Sequence, residues 1–107
     1  MVARNEIYWG DLGKPSGRRP VVVLSRDAAA SVLTAVVCAP ITRAMRGIRS
    51  EVEVGTDEGL PQPSVISCDN LLTVPITRLD ADPVGHLGAI KRVQLDQALR
   101  YSLDIAY

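Results

Sequence analysis

Phenylalanine is absent from these 107 residues, and the aromatic side chains are only Tyr8, Trp9, Tyr101 and Tyr107. That scarcity excludes an RNA-binding face that stacks several bases on several rings, and it requires an aliphatic core. His86 is the only histidine. A two-histidine ribonuclease mechanism cannot be built from it, and a Ser-His-Asp triad would have no alternative base. Lying in Val84-Gly85-His86-Leu87-Gly88, it reads as a turn or capping residue rather than a base. The two cysteines, Cys38 and Cys68, sit in apolar runs with no Cys or His at ligand spacing, so both are expected as buried, reduced thiols. No phosphate-binding glycine motif and no metal constellation occurs; no cofactor and no metal is expected. Nor is there a signal peptide or an apolar stretch of about 20 residues, which gives no membrane partner and a cytoplasmic protein as the expectation.

Net charge is also missing: 12 Lys and Arg balance 12 Asp and Glu. The distribution is uneven, however. From Lys14 to Arg49 the bases Lys14, Arg18, Arg19, Arg26, Arg43, Arg46 and Arg49 face the single acid Asp27, whereas acids outnumber bases from Glu51 onward. Such a split polarises the surface toward nucleic acid, unless the charges intermix on folding. The length and the 47% hydrophobic composition fit one globular domain spanning 1–107.

What is present begins with Gly17-Arg18-Arg19-Pro20-Val21-Val22-Val23-Leu24, where two guanidinium groups abut a short apolar run that reads as a buried strand. Pro20 fits its first position, where a missing N–H does little harm. Arg19 is then held at the rigid end of a strand, suited to bidentate capture of a phosphate or to pairing with a carboxylate. Upstream, Glu6-Ile7-Tyr8-Trp9-Gly10-Asp11-Leu12 alternates as a half-buried strand with Ile7, Trp9 and Leu12 inward. Between the two, Gly13-Lys14-Pro15-Ser16-Gly17 is a breaker-rich loop of the kind that moves over substrates.

Downstream, residues 25–31 support a short connecting helix, and 34–42 a strand buried on both faces that Pro40 interrupts. Residues 50–55 alternate as a strand with its carboxylates outward, and 56–63 form a Gly- and Pro-rich loop. Residues 64–74 read as one long strand, or a strand with a bulge at Asp69-Asn70. Ile76-Thr77-Arg78-Leu79 suggests a further short strand. From about 89 to 103 a helix is expected, with Leu95, Ala98, Leu99, Ser102 and Leu103 on its packed face and Gln97, Arg100 and Asp104 in solvent. The sum is a small, strongly bent, mainly β barrel with a C-terminal α-helix.

The residues left for chemistry are Arg19, Thr42, Ser64, Asp69 and Asn70, at strand ends or irregularities. That set suits phosphoryl transfer in RNA. The 2′-OH attacks its own phosphate once positioned, and a guanidinium with hydroxyl donors stabilises the phosphorane. Arginine itself is a poor general base, with a pKa above about 12. Singly, Thr42, Ser64, Asp69 and Asn70 could equally satisfy backbone groups at strand ends and turns.

The order and spacing of several segments resemble the MazF/PemK (Kid) toxins of type II toxin-antitoxin systems. These are 6–12, 17–25, Ala39-Pro40-Ile41-Thr42, Gly59-Leu60-Pro61, Ser64-Val65-Ile66-Ser67-Cys68-Asp69-Asn70, Arg78-Leu79 and Leu95-Asp96-Gln97-Ala98-Leu99. The resemblance implies a small SH3-like barrel of the MazF/CcdB type that forms a homodimer. It implies metal-independent, sequence-specific cleavage of single-stranded RNA to a 2′,3′-cyclic phosphate. Arg19 and Thr42 match the family's catalytic pair. Lys14, Arg18, Arg43, Ser64, Asp69 and Asn70 fall where RNA would be bound, the 13–18 loop matching the segment that moves over the RNA groove. The disordered tail of a cognate antitoxin would compete with RNA in the dimer groove. Asn70, Leu72 and Ser67 depart from residues common in the family, which bears on base preference. Two other functions suit the same barrel. A gyrase-poisoning toxin of the CcdB type commonly carries a tryptophan near its C-terminus, which 102–107 lack, and a non-catalytic interaction module would have no use for Arg19 and Thr42.

Overall fold

The computed structural model describes residues 2–106, so Met1 and the Tyr107 of the C-terminal segment lie outside the described residues. Seven antiparallel strands form one bent sheet: β1 (Glu6–Asp11), β2 (Arg18–Val23), β3 (Ala35–Thr42), β4 (Glu51–Val54), β5 (Ser64–Ser67), β6 (Leu72–Pro75) and β7 (Gly85–His86). Their order is β4-β5-β3-β2-β1-β7, with β6 added on β3. One helix, α1 (Ala89–Ser102), follows. This is the mainly β barrel with a C-terminal helix that the pattern predicts.

β3 makes the sheet close. Its first half pairs with β6 from Ala35 to Cys38, and its last residues pair with β5 at Ile41 and Thr42. β2 lies along Val21 to Val23 on its other side. The strand runs through Pro40, which stands where the partner changes from β6 to β5. A missing N–H is tolerated at such a gap, so no break occurs.

The central strands are buried from both sides, which explains why Val21, Val22 and Val23 form an unbroken apolar run. One face, with Ile7, Val22, Ile41, Ile66 and Leu87, packs against Leu95 and Ala98 of α1. The other, with Tyr8, Val21, Val23, Cys38 and Val74, forms a second cluster. Both Ile7 and Tyr8 are therefore buried, while Trp9 is only half-buried, which reverses the expected inward placement of Trp9. The Tyr8 hydroxyl donates to Glu6 at 2.9 Å, and burial first, then that bond, raises its pKa to about 12.

Other expectations change in detail. Pro20 lies inside β2 opposite Trp9, because the strand already begins at Arg18. Residues 64–74 are two strands rather than one. The chain turns between Ser67 and Leu72 so that β5 pairs with β3 and β4, and β6 with β3 alone. Ile76–Arg78 is a single 3-10 turn, not a strand. His86 belongs to the short edge strand β7 opposite Glu6. Leu103, expected on the packed face, is 51% exposed because the helix has ended.

Candidate active site

The loop from Leu12 to Gly17 closes on itself: the Gly17 N–H donates to the Gly13 carbonyl at 2.6 Å, and the Leu12 N–H to the Gly17 carbonyl at 2.9 Å. Gly17 sits at φ 68°, a left-handed conformation that glycine adopts without steric cost. The turn feeds Arg18 and Arg19 into β2, so both are strand residues rather than parts of the loop. Arg19 Nε donates to the Ser16 carbonyl at 3.2 Å. Among the described residues its terminal nitrogens have no carboxylate partner.

Thr42 ends β3 beside this point. Its Oγ1 accepts the Ala44 N–H at 3.2 Å, which leaves the hydroxyl proton available to another acceptor. Arg43 follows it and donates from Nη1 to Gln62 Oε1 at 2.9 Å, while Ser64 Oγ donates to the Gln62 carbonyl at 3.0 Å. Gln62 thus joins the end of β3 to the start of β5.

Arg18, Arg19, Thr42, Arg43 and Ser64 line one cavity of about 550 Å³, together with Trp9, Pro20, Leu60, Pro61 and Gln62. Among the described residues, three arginines and no carboxylate border it. A chain of zero net charge has therefore concentrated positive potential in one concave site, the arrangement that attracts an anion. Arg18 is the exception among the three, since its Nη1 and Nη2 donate to the two oxygens of Asp80 at 3.0 and 2.6 Å. The bond to Arg18 holds the Asp80 carboxyl below its ordinary range.

Lys14, Asp69 and Asn70 do not border the cavity. Lys14 is exposed on the 12–17 loop. Asp69 accepts the Ser50 hydroxyl at 2.5 Å and lies 2.7 Å from the Ser102 hydroxyl, and Asn70 donates to Ser67 Oγ at 2.9 Å. Those bonds organise the β5–β6 corner. A larger groove of about 1000 Å³ runs between β4 and α1, where the Arg49 guanidinium lies 4.3 Å above the Tyr101 ring. Its lining mixes Glu51, Glu53 and Asp104 with Arg49, Lys91 and Arg100, whereas the charged residues bordering the smaller cavity are, among the described residues, Arg18, Arg19 and Arg43. Among the described residues no three His, Cys, Asp or Glu side chains gather as metal ligands, and no helix is long and apolar enough to cross a membrane.

Trp9, Gln62 and Asp80 contribute to the site without having been singled out for it in the sequence. Gln62 carries no sequence signal beyond its place after Gly59-Leu60-Pro61, and Asp80 is 62 positions from the arginine it binds.

The model of the PemK-like, MazF-like toxins of type II toxin-antitoxin systems matches residues 3–103. Endoribonuclease MazF3 of Mycobacterium tuberculosis is 41% identical over 87 residues, spanning 81% of this chain and 84% of the relative. The solved Mycobacterium tuberculosis toxin MazF-mt6 superposes with a TM-score of 0.87 at 37% identity, over 95% of this chain and 99% of that one. A mycobacterial endoribonuclease solved with its cognate antitoxin superposes with a TM-score of 0.88 at 24% identity, over 100% of this chain and 99% of that one, a likeness of fold. With a family match across nearly its whole length laid over this barrel and its arginine-lined cavity, the chain belongs to the PemK-like, MazF-like toxin family of type II toxin-antitoxin systems.

Proposed function

We propose that this chain, as one toxin domain, is an endoribonuclease that cleaves single-stranded RNA in the cytoplasm at short sequence motifs without a metal ion. The observation that carries this is the convergence of Arg19 and Thr42, from the start of β2 and the end of β3, on one cavity bordered, among the described residues, by arginines and no carboxylate. Its relative in Mycobacterium tuberculosis is named an endoribonuclease.

The chemistry follows from what those groups can hold. The RNA 2′-OH gives up its proton as its oxygen attacks the adjacent phosphorus. The O2′–P bond forms as the P–O5′ bond breaks, the departing 5′-oxygen takes up a proton from solvent in exchange for the one released, and the products are a 2′,3′-cyclic phosphate and a 5′-hydroxyl. Arg19 offers its terminal N–H groups to the non-bridging oxygens as charge builds on the phosphorane. Thr42, its oxygen already engaged by the Ala44 N–H, donates its hydroxyl proton to one of the same oxygens. Arg43 and Ser64, fixed through Gln62, hold the flanking strand. Lys14 on its loop, and Asp69 and Asn70 at the β5–β6 corner, are assigned to more distant RNA contacts.

The working form is a homodimer, with the disordered tail of a cognate antitoxin as the competing ligand of the dimer groove; a solved neighbour is described in complex with its own cognate antitoxin. Purified protein incubated with single-stranded RNA in EDTA tests the assignment. Cleavage is expected from the wild type and its loss from Arg19→Ala and Thr42→Ala. Undiminished cutting by both variants rejects the assigned roles, and absence of wild-type cutting rejects the activity.

A further inference from the structure

We propose that Trp9, with Arg18 held beside it by Asp80, is a stacking platform for one unpaired base next to the phosphate engaged by Arg19; this deepens the endoribonuclease assignment and rests on it. Trp9 is half-buried and borders the cavity, as does Arg18. In the β1–β2 ladder Trp9 stands opposite Pro20 and Asp11 opposite Arg18. Asp80 joins the two strands from outside. Its backbone N–H donates to the Trp9 carbonyl at 2.9 Å, while its carboxylate takes both terminal nitrogens of Arg18.

Two consequences distinguish Arg18 from its neighbour. Its charge is already matched and its fork occupied, so a phosphate would have to displace a carboxylate to use it. Arg19 has no such competitor among the described residues. The Arg18 guanidinium carbon also lies over the Trp9 ring, 5.9 Å from its centroid, at the outer limit of a cation–π contact, so the two planar groups form one loosely joined surface. A flat ring beside a planar, charge-matched guanidinium is a surface for the π-face of a base. Arg19 takes the phosphate, Trp9 and Arg18 take the base, and Asp80 is a positioning residue acting through Arg18.

Trp9 is the chain's single tryptophan, so emission from the unmodified protein reports on the platform directly. A single-stranded 2′-O-methyl oligonucleotide of mixed sequence lacks the attacking hydroxyl and binds without being cut. Its titration is expected to quench emission saturably, about twofold or more, while an abasic oligonucleotide of equal length leaves emission unchanged. In parallel, 5′-end mapping on a randomised RNA pool compares Trp9→Leu, Trp9→Phe and Asp80→Asn, each first shown to unfold cooperatively. Trp9→Leu is expected to raise KM about tenfold, with a smaller change in kcat, and to flatten base preference at one position. Trp9→Phe restores most of both, and Asp80→Asn weakens the same preference. Wild-type protein that cuts RNA yet shows no quenching, or equal quenching by the abasic strand, or Trp9→Leu with unchanged preference, overturns the platform while leaving the activity standing. Failure of wild-type protein to cut any RNA overturns the activity and the platform with it.

Discussion

The Ser102 hydroxyl lies 2.7 Å from Oδ1 of Asp69, tying the last turn of α1 to the corner between β5 and β6. Ser50 holds the other oxygen at 2.5 Å, and the Cys68 N–H donates to the Ser50 carbonyl, so one carboxylate joins the helix end, the corner and the start of β4. The Ser50 bond, then the Ser102 bond, pulls the Asp69 pKa below the ordinary carboxylate value. A lowered folded-state pKa stabilises the fold above the unfolded value of about 3.9, and that contribution is lost as pH falls through the folded value. Asp69→Asn is therefore expected to lower the urea midpoint near neutral pH, and the gap from wild type should narrow below about pH 4. An unchanged gap at low pH would show that the carboxylate charge is not what the knot uses.

Arg19→Lys keeps a positive charge at the cavity but loses the planar fork. Cleavage should fall roughly hundredfold, the scale for removing one well-placed donor to a developing oxyanion, with the thermal midpoint within about a degree of wild type. Recovery of full activity by lysine would mean that charge alone suffices.

Leu95 is fully buried and is the principal anchor of α1 on the barrel. Leu95→Ala should cost about 2–5 kcal/mol in denaturant unfolding. Ile90→Ala, on a residue 74% exposed in the same helix, should change the midpoint little in dilute, monomeric protein.

Gly59 has φ 88°, and a Cβ there would collide with the Val84 carbonyl where the 58–59 and 84–85 segments cross. Gly59→Ala meets both the left-handed backbone and that collision, so a loss above about 1 kcal/mol is expected. Chemical denaturation measures it; a stability equal to wild type would show that the crossing opens freely.

Cys38 and Cys68 are free and buried, and burial raises their pKa values to about 12 and about 11. Both should ignore a disulfide reagent at about pH 8 in the native protein and react together on unfolding. A rapidly labelled thiol in the native state would contradict their packing.

Much of this molecule was decided locally. The Val21-Val22-Val23 run, the Glu51-Val52-Glu53-Val54 alternation and the Leu95 and Ala98 spacing each state a burial pattern that a strand or helix must satisfy, and the barrel satisfies them. Arg19 and Thr42 were legible as polar side chains at a strand start and a strand end because each follows from its own neighbours, a turn before one and an apolar run before the other. Tertiary structure alone decided which residues share a site. The placement of Trp9 depended on β1 having a core on both faces, which admits Ile7 and Tyr8 and leaves the next side chain at the cavity. Arg18 became a charge-matched wall because Asp80, 62 positions away, meets it across the strand edge. Asp69 was drawn into a structural knot by a helix that ends 33 positions later. Ion pairs and hydrogen bonds of that reach depend on strand register, which side-chain pattern constrains only to a face, and so their partners emerge only once the barrel is closed.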